Sequence, residues 1–331
     1  MSDLLYSDTE EALRDSVRRL LADRCPPAAV ARLYDPDSPD FSGVWRTLAT
    51  DLGVAGLLVP EHLGGAGAGA REAAVVAEEI GRAVAPVPYL SSAVLATTAL
   101  LAAGDTGTVA ALARGETTAA LAVPLSTGPG DRVAGVGIGA DGLTGTVTSV
   151  ADAATAAVLV VPVAGPDGLE LHTVSTAAAG VEVSPVLTLD MTRPLADVRF
   201  SGAVSARAGA GPAAPALQTA LQTGAALLAS EQLGVAQWCV ETTLAYIKGR
   251  KQFSRAIGSY QAIKHRVTEL WLQVGHATAA ARYAADTCAR GDDDAPIAAA
   301  VAAAYCGDAA VYVAEECIQL HGGIGMTWEY P

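Results

Sequence analysis

The sequence predicts an α+β protein: an N-terminal helical domain, a central β-domain and a C-terminal helical bundle. Three observations predict it. The 331-residue chain is 51% hydrophobic but only 5% aromatic, and Ala- and Leu-rich sequence of this kind favours packed helices over a β-sandwich. Near residue 118, helical periodicity gives way to short β-branched runs between Gly and Asp turns. Near 215, long apolar helical stretches return. The domains are expected at 1–117, 118–205 and 216–331, and the length suffices for two or three domains with a substantial core.

Taken in order, Thr9–Ala22 has apolar residues at helical spacing among Asp, Glu and Arg, and Trp45–Leu52 repeats the pattern. Gly64, Gly65, Gly67 and Gly69 read as a flexible loop before a helix over Arg71–Arg82. Pro86 and Pro88 stop that helix, and Leu90–Ala103 forms another. Five runs then read as strands: Ala119–Val123, Leu143–Val150, Ala157–Val163, Leu169–Val174 and Ala196–Phe200. With no helices between them they imply a small antiparallel barrel or sandwich, with Asp141-Gly142 as a hairpin turn. Ala206–Pro215 is a linker. Helices are expected over Leu217–Lys248, Ala262–Arg290 and Ala295–Leu320, the last two separated by the acidic turn Gly291–Asp294.

Charge narrows the function. With 21 basic and 35 acidic residues the net charge is -14, a field that disfavours nucleic acid and anionic membrane surfaces. A polyanionic ligand therefore needs a local cationic patch, and Lys248, Arg250, Lys251 and Arg255 form the best one. The five cysteines, at 25, 239, 288, 306 and 317, include no CxxC and no pair with a histidine at metal-ligand spacing. They read as reduced residues of a cytoplasmic protein without a metal site. The charged N-terminal segment lacks an apolar signal core, and the longest apolar stretches are broken before they reach membrane-spanning length.

Two segments carry specific chemistry. Arg250–His265 reads RKQFSRAIGSYQAIKH, and Gln319–Gly325 reads QLHGGIG. Arg250 offers a permanent, forked charge suited to a pyrophosphate. Gln252 donates hydrogen bonds, Phe253 has a flat face for packing, and Gly322 and Gly323 let backbone N–H groups approach anionic oxygens. Taken singly, Arg250 is a helix C-terminal charge, Phe253 a core residue and the glycines a turn. What overrides those readings is a resemblance: their joint occurrence with Gln261 and Gln319 at the spacing of a known family. Together they resemble the RxxFGxxIGxxQxxxH and QxxGGxG signatures of the acyl-CoA dehydrogenase family. Val59–Gly67, Glu79–Arg82 and Leu189–Arg193 are similar to further family segments in the same order.

The resemblance implies the acyl-CoA dehydrogenase-like fold, FAD as cofactor and an acyl-CoA thioester as substrate. In that family the flavin lies between subunits, so Arg250, Gln252, Phe253, Gln261, Gln319, Gly322 and Gly323 would serve a neighbouring subunit's FAD. It also implies an electron-transfer acceptor protein. His265 and His321 are expected as hydrogen-bonded structural histidines, Trp45, Trp238, Trp271 and Trp328 as packing residues, and the segment around Tyr89-Leu90 as pocket lining.

Three departures from the family pattern stand out. The TEPxxGSD-like segment that lines the flavin is replaced by Val123–Asp131, reading VPLSTGPGD. Dehydrogenation requires a carboxylate to take the substrate α-proton while the β-hydride passes to the flavin, yet one family position for that base falls at Gly224. Glu231 lies seven residues on, roughly 10 Å along a helix, and reads as a paired helix carboxylate. The other base position follows QxxGGxG, where the sequence given ends at Pro331. These features resemble the short subunit of bacterial heteromeric, steroid-degradation-type acyl-CoA dehydrogenases. The leading expectation is a heterotetramer of lipid metabolism in which this chain completes the FAD site and a partner supplies the base. The alternatives are a homotetrameric dehydrogenase with an unrecognised base and a non-redox structural or acyl-CoA-binding subunit.

Overall fold

The computed structural model describes residues 4–133, 135–166, 168–327 and 330. Among them, helices α1 (Asp8–Arg24), α2 (Pro27–Ala31), α3 (Ser42–Arg46), α4 (Ala70–Ala83), α5 (Thr97–Ala103) and α6 (Thr106–Ala113) precede the strands. The strands are β1 (Ala119–Leu121), β2 (Val136–Gly139), β3 (Gly142–Ala151), β4 (Val158–Gly165), β5 (Gly168–Ser175), β6 (Val181–Val186), β7 (Leu195–Ala203) and β8 (Ala206–Arg207). Helix α7 (Ala213–Gly249), the hairpin β9 (Lys251–Gln252) and β10 (Arg255–Ala256), α8 (Gln261–Arg290) and α9 (Ala295–His321) follow. The chain divides into two compact, interleaved units: one comprises residues up to 39, 74–85 and from 226 onward, the other 40–73 and 86–225.

In the first unit, α1 begins with a reciprocal cap. Ser7 Oγ accepts from the Glu10 N–H at 3.3 Å, and Glu10 Oε2 accepts from the Ser7 N–H at 2.6 Å. Its inner side meets two buried carboxylates on α4, Glu78 and Glu79. Glu79 accepts from Arg14 Nε (3.1 Å), Arg18 Nε (2.8 Å) and Arg18 Nη2 (2.6 Å), while Tyr6 Oη donates to Glu78 at 2.6 Å. Helices α4 and α7 touch backbone to backbone. A Cβ on Gly81 would lie 1.9 Å from the Glu231 carbonyl oxygen, and one on Gly234 would lie 1.9 Å from that of Glu78. The Glu79–Arg82 segment singled out in the sequence thus contains a glycine on which helix contact depends. Alanine-rich faces of α7, α8 and α9 form the remaining core.

Two expectations are corrected here. The 32-residue stretch Ala295–Met326 is long and apolar enough to cross a membrane by length and composition, because its few charges are spread too thinly to interrupt it. Its Ala298, Ala302, Ala309, Val313 and Leu320 are buried in the unit's core, whereas Ile297, Val301, Val311 and Ile318 are exposed. Trp271, expected to pack, is 64% exposed on α8. Trp45 is buried and Trp238 packs against the core, while Trp328 lies outside the described residues.

In the second unit, the β-domain is a single eight-stranded sheet ordered β6-β7-β3-β2-β4-β5-β8, with β1 on β4. It is mixed, where a purely antiparallel barrel or sandwich was expected: β1 runs parallel to β4, and Gly137 of β2 pairs parallel with Ala164. The cause is connectivity. β1 arrives from α6 and lies along β4, while the β2–β3 hairpin leaves β4 and pairs onward to β7. β2, with two glycines in four residues, and β6, which contains Pro185, lack the composition of strong strands.

The supposed linker at 206–215 contains β8, paired on His172 and Thr173, and the start of α7. The glycine loop is ordered. Gly65, Ala66 and Gly67 donate to the carbonyls of Pro60, Gly56 and Val59, and a Cβ on Gly65 would lie 2.0 Å from the Val59 oxygen. Tyr89 is buried core, its hydroxyl donating to the Ala73 carbonyl at 3.1 Å, and not pocket lining. It opens a π-helical stretch, Tyr89–Ala96, that leads into α5.

Candidate cofactor half-site

Helix α7 ends at Gly249, and the chain turns at once into the β9–β10 hairpin, where Gln252 pairs with Arg255 and Lys251 with Ala256. The two turn residues, Phe253 (φ 50°) and Ser254 (φ 63°), are both left-handed. Such turns favour Asn-Gly, and a bulky residue held there costs on the order of 1–3 kcal/mol. The surroundings impose it. The Ile257 N–H donates to the Arg250 carbonyl at 2.8 Å, Tyr260 Oη donates to the Gln252 carbonyl at 3.3 Å, and the Arg255 guanidinium lies 3.8 Å over the Tyr260 ring. The outcome is an aromatic ring 89% exposed at the tip of a pinned hairpin. That placement overturns the single-residue reading of Phe253 as core.

Arg250, Gln252, Gln261 and Gln319 are exposed as well. Among the described residues, Arg14, Arg18, Arg82, Arg266 and Arg290 of the same unit are all ion-paired, whereas Arg250 pairs with no carboxylate. On a chain of net charge -14, Arg250 beside Lys251, with Arg255 on the same hairpin, makes a local cationic patch. Gly322 has φ 64°, and both Gly322 and Gly323 are exposed, with nothing within 4 Å of where a Cβ would stand. Among the described residues no neighbour occupies that space, which suits close approach of a ligand.

The two motif segments meet through Tyr246, one turn before Arg250. Its ring stacks on His321 at 4.4 Å and its hydroxyl donates to the His321 carbonyl at 3.2 Å. His321 is buried and hydrogen-bonded through Nδ1 to the Cys317 carbonyl at 2.7 Å, while His265 is exposed. Sequence reading had no reason to single out Tyr246, which lies outside both motifs. Among the described residues no group of His, Cys, Asp and Glu is arranged to hold a metal.

Residues 7–108 match the family described as "Acyl-CoA dehydrogenase, N-terminal domain", and 214–331 match "Acyl-CoA dehydrogenase, C-terminal domain". Acyl-CoA dehydrogenase IpdE2 of Mycolicibacterium smegmatis is 34% identical over 325 residues, spanning 98% of this chain and 90% of that protein.

The chain belongs to the acyl-CoA dehydrogenase family.

Among solved family folds, the ChsE4-ChsE5 complex from Mycobacterium tuberculosis superposes with a TM-score of 0.87 at 27% identity, covering 100% of this chain and 91% of that one. A variant of the Tcur3481-Tcur3483 steroid ACAD gives 0.85 at 28% identity, covering 98% and 90%.

The acyl-CoA dehydrogenase positions that depart from the family pattern are also visible. In the 123–131 loop, the Asp131 carboxylate accepts from the Gly128 N–H at 2.8 Å and the Gly130 N–H donates to Gln218 Oε1 on α7 at 2.9 Å. At Gly224, a Cβ would meet Leu95 Cδ2 at 2.4 Å. No carboxylate side chain fits there without moving Leu95. Glu231 is half-buried on α7 and engaged within the chain.

Proposed function

We propose that this chain is one subunit of a cytoplasmic, heterotetrameric, FAD-dependent acyl-CoA dehydrogenase that α,β-desaturates an acyl-CoA thioester. Its hairpin and glycine turn complete the FAD site, and the partner supplies the catalytic base. The observation that carries this reading is the outward-facing set of an unmatched Arg250, an exposed Phe253 and an open Gly322-Gly323 turn, on a chain whose Gly224 position is closed by Leu95. Arg250 would hold the pyrophosphate, with the backbone N–H groups of Gly322 and Gly323 approaching its anionic oxygens; Phe253 and Gln252 would pack and donate beside it, Gln261 would reach the adenosine side, and Gln319 would complete the set. When bound, the flavin supplies the acceptor for the β-hydride. An electron-transfer acceptor protein would be the chain's further partner.

The named two-component complexes among the structural relatives support a non-identical partner, and the relative described as a steroid ACAD supports a bulky, steroid-type acyl group. The exposed Ile297, Val301, Val311 and Ile318 of α9 give such a partner an apolar surface.

The test is flavin stoichiometry and dye-coupled turnover of the chain alone and with a dehydrogenase partner co-expressed from neighbouring reading frames. Alone it is expected to bind little FAD and turn over no acyl-CoA. The heteromer should carry about half the flavin per subunit of a homotetramer and be active. One tightly bound FAD per lone subunit, with turnover, would overturn the reading and make Glu231 the first residue to mutate. A heteromer without flavin would favour a structural or acyl-CoA-binding subunit.

Arg250→Ala should weaken FAD retention in the complex by roughly tenfold to a hundredfold, the scale of a lost charge-assisted hydrogen bond. Lys should rescue it only in part, because the fork is lost. Unchanged FAD occupancy in the Ala variant removes Arg250 from the site.

A further inference from the structure

We infer that Tyr246 is a positioning residue of the cofactor half-site: it sets the separation between the Arg250 hairpin and the Gly322-Gly323 turn. The inference rests on the flavin reading and names what holds that half-site in register.

Each loop is fastened to its own helix. The Arg250 N–H donates to the Tyr246 carbonyl at 2.8 Å, carrying the helical pattern of α7 one residue past Gly249, and the Arg250 carbonyl accepts from Ile257 at 2.8 Å. A Cβ on Gly258 would lie 3.1 Å from the Ile247 oxygen, so the chain after the hairpin returns against the end of α7. On the other side, the Gly322 N–H donates to the Gln319 carbonyl, and Gly322 holds φ 64° and ψ -142°, a conformation open essentially to glycine. A Cβ on Gly325 would lie 2.5 Å from the Ile318 oxygen, so the turn folds back on α9. Hairpin and turn therefore move with the helix ends that carry them.

Tyr246 joins those ends. Its ring stacks on His321 at 4.4 Å with 26° between the planes, and its hydroxyl donates to the His321 carbonyl at 3.2 Å. Among the described residues no other hydrogen bond links 246–261 to 319–326. The carbonyl it grips shares a peptide bond with the Gly322 nitrogen, so the contact acts on the turn itself. The His321 ring gives firm backing, being 4% exposed with its Nδ1–H donating to the Cys317 carbonyl at 2.7 Å. Behind it lies the apolar cluster that includes Val240, Leu244, Val313 and Leu320. Apolar burial is non-directional, so it presses α7 and α9 together more strongly than it fixes their sliding. A hydrogen bond with a stacked ring pair does fix it. The site needs that. An anion met by a guanidinium from one loop and backbone N–H groups from another tolerates little change in their separation, since hydrogen bonds fade beyond roughly 3.2 Å.

The test uses the complex with its dehydrogenase partner and reads FAD affinity by fluorescence titration, with urea midpoints in parallel. Tyr246→Phe removes the hydroxyl and keeps the ring. The FAD dissociation constant should rise roughly twofold to tenfold, the scale of one neutral hydrogen bond. Tyr246→Leu removes the stack as well and should weaken binding further. Coupling with Arg250 is the readout that a merely structural role would not move. Arg250 is exposed, so in urea Tyr246→Phe and Arg250→Ala should add. In FAD affinity they should not: with no guanidinium to place, Tyr246→Phe should change little in the Arg250→Ala background. Equal effects in both backgrounds would overturn the inference, and so would wild-type affinity in both Tyr246 variants. Either result leaves the flavin reading standing where Arg250→Ala weakens FAD binding. Wild-type affinity in Arg250→Ala would remove the reading and the inference together. If the Leu variant does not fold, the near-isosteric Phe variant decides.

Discussion

Gly234→Ala is expected to lower the stability of the helical unit by on the order of 3 kcal/mol or more, at the upper end of what overpacking costs. The added methyl would lie 1.9 Å from the Glu78 carbonyl oxygen and 2.8 Å from the Arg82 nitrogen. Both are backbone atoms of α4 and cannot rotate aside, so the two helices must separate. Separation also pulls Glu78 and Glu79 away from α1. Gly81→Ala should behave alike, since its Cβ would strike the Glu231 carbonyl at the same distance. Gly275→Ala is the control: it sits in α8 with nothing within 4 Å of its Cβ, and alanine there should be neutral or stabilising by up to about 1 kcal/mol. Urea denaturation separates the cases. A Gly234→Ala midpoint equal to wild type would mean that α4 and α7 do not cross in contact.

The second large effect is expected at Glu79. Its carboxylate is 1% exposed and accepts three guanidinium N–H groups from α1. Glu79→Ala leaves Arg14, whose side chain is only 19% exposed, with Glu78 at 3.5 Å and Glu11 at 3.4 Å, and takes from Arg18, at 39%, the carboxylate it pairs with. Removing one partner of a buried pair costs about 3–5 kcal/mol, and the partial exposure of Arg18 places this case near the lower figure. Glu79→Gln keeps the shape and one acceptor, so it should retain part of the loss. Glu116, in an exposed pair with Arg114, serves as the comparison and should matter little. If Glu79→Ala and Glu116→Ala denature at the same midpoint, the network does not hold α1 in place.

Both effects concern what the sequence revealed only in outline. The long helices were legible to within a few residues, because breakers mark them: Pro86 and Pro88 after α4, the Gly291–Asp294 turn between α8 and α9. Helix α6 was not, since eight residues rich in small side chains carry little periodicity, and its cap by Asp105 is a single contact. Strand order was out of reach because parallel pairing of β1 with β4 depends on residues nearly forty positions apart. At the candidate site the residue types were legible and their postures were not. A Phe-Ser turn gives no warning that it is left-handed, and nothing local shows that Arg250 lacks a carboxylate while Asp131 is engaged in its own loop.

The outward posture of the hairpin has a consequence for how substitutions in this subunit are judged. Phe253 leaves nine-tenths of its surface to solvent, and Arg250 and Gln261 contribute nothing to the buried core. Quality control in the cell recognises exposed core and frayed helices, so it passes a chain damaged only at these positions. Ranking substitutions by protein abundance places Gly81, Gly234 and Glu79 at the top and the hairpin at the bottom. On the proposed reading, ranking them by flavin retention lifts the hairpin, and the residues that change place between the two rankings mark surface kept for a ligand and not for the fold.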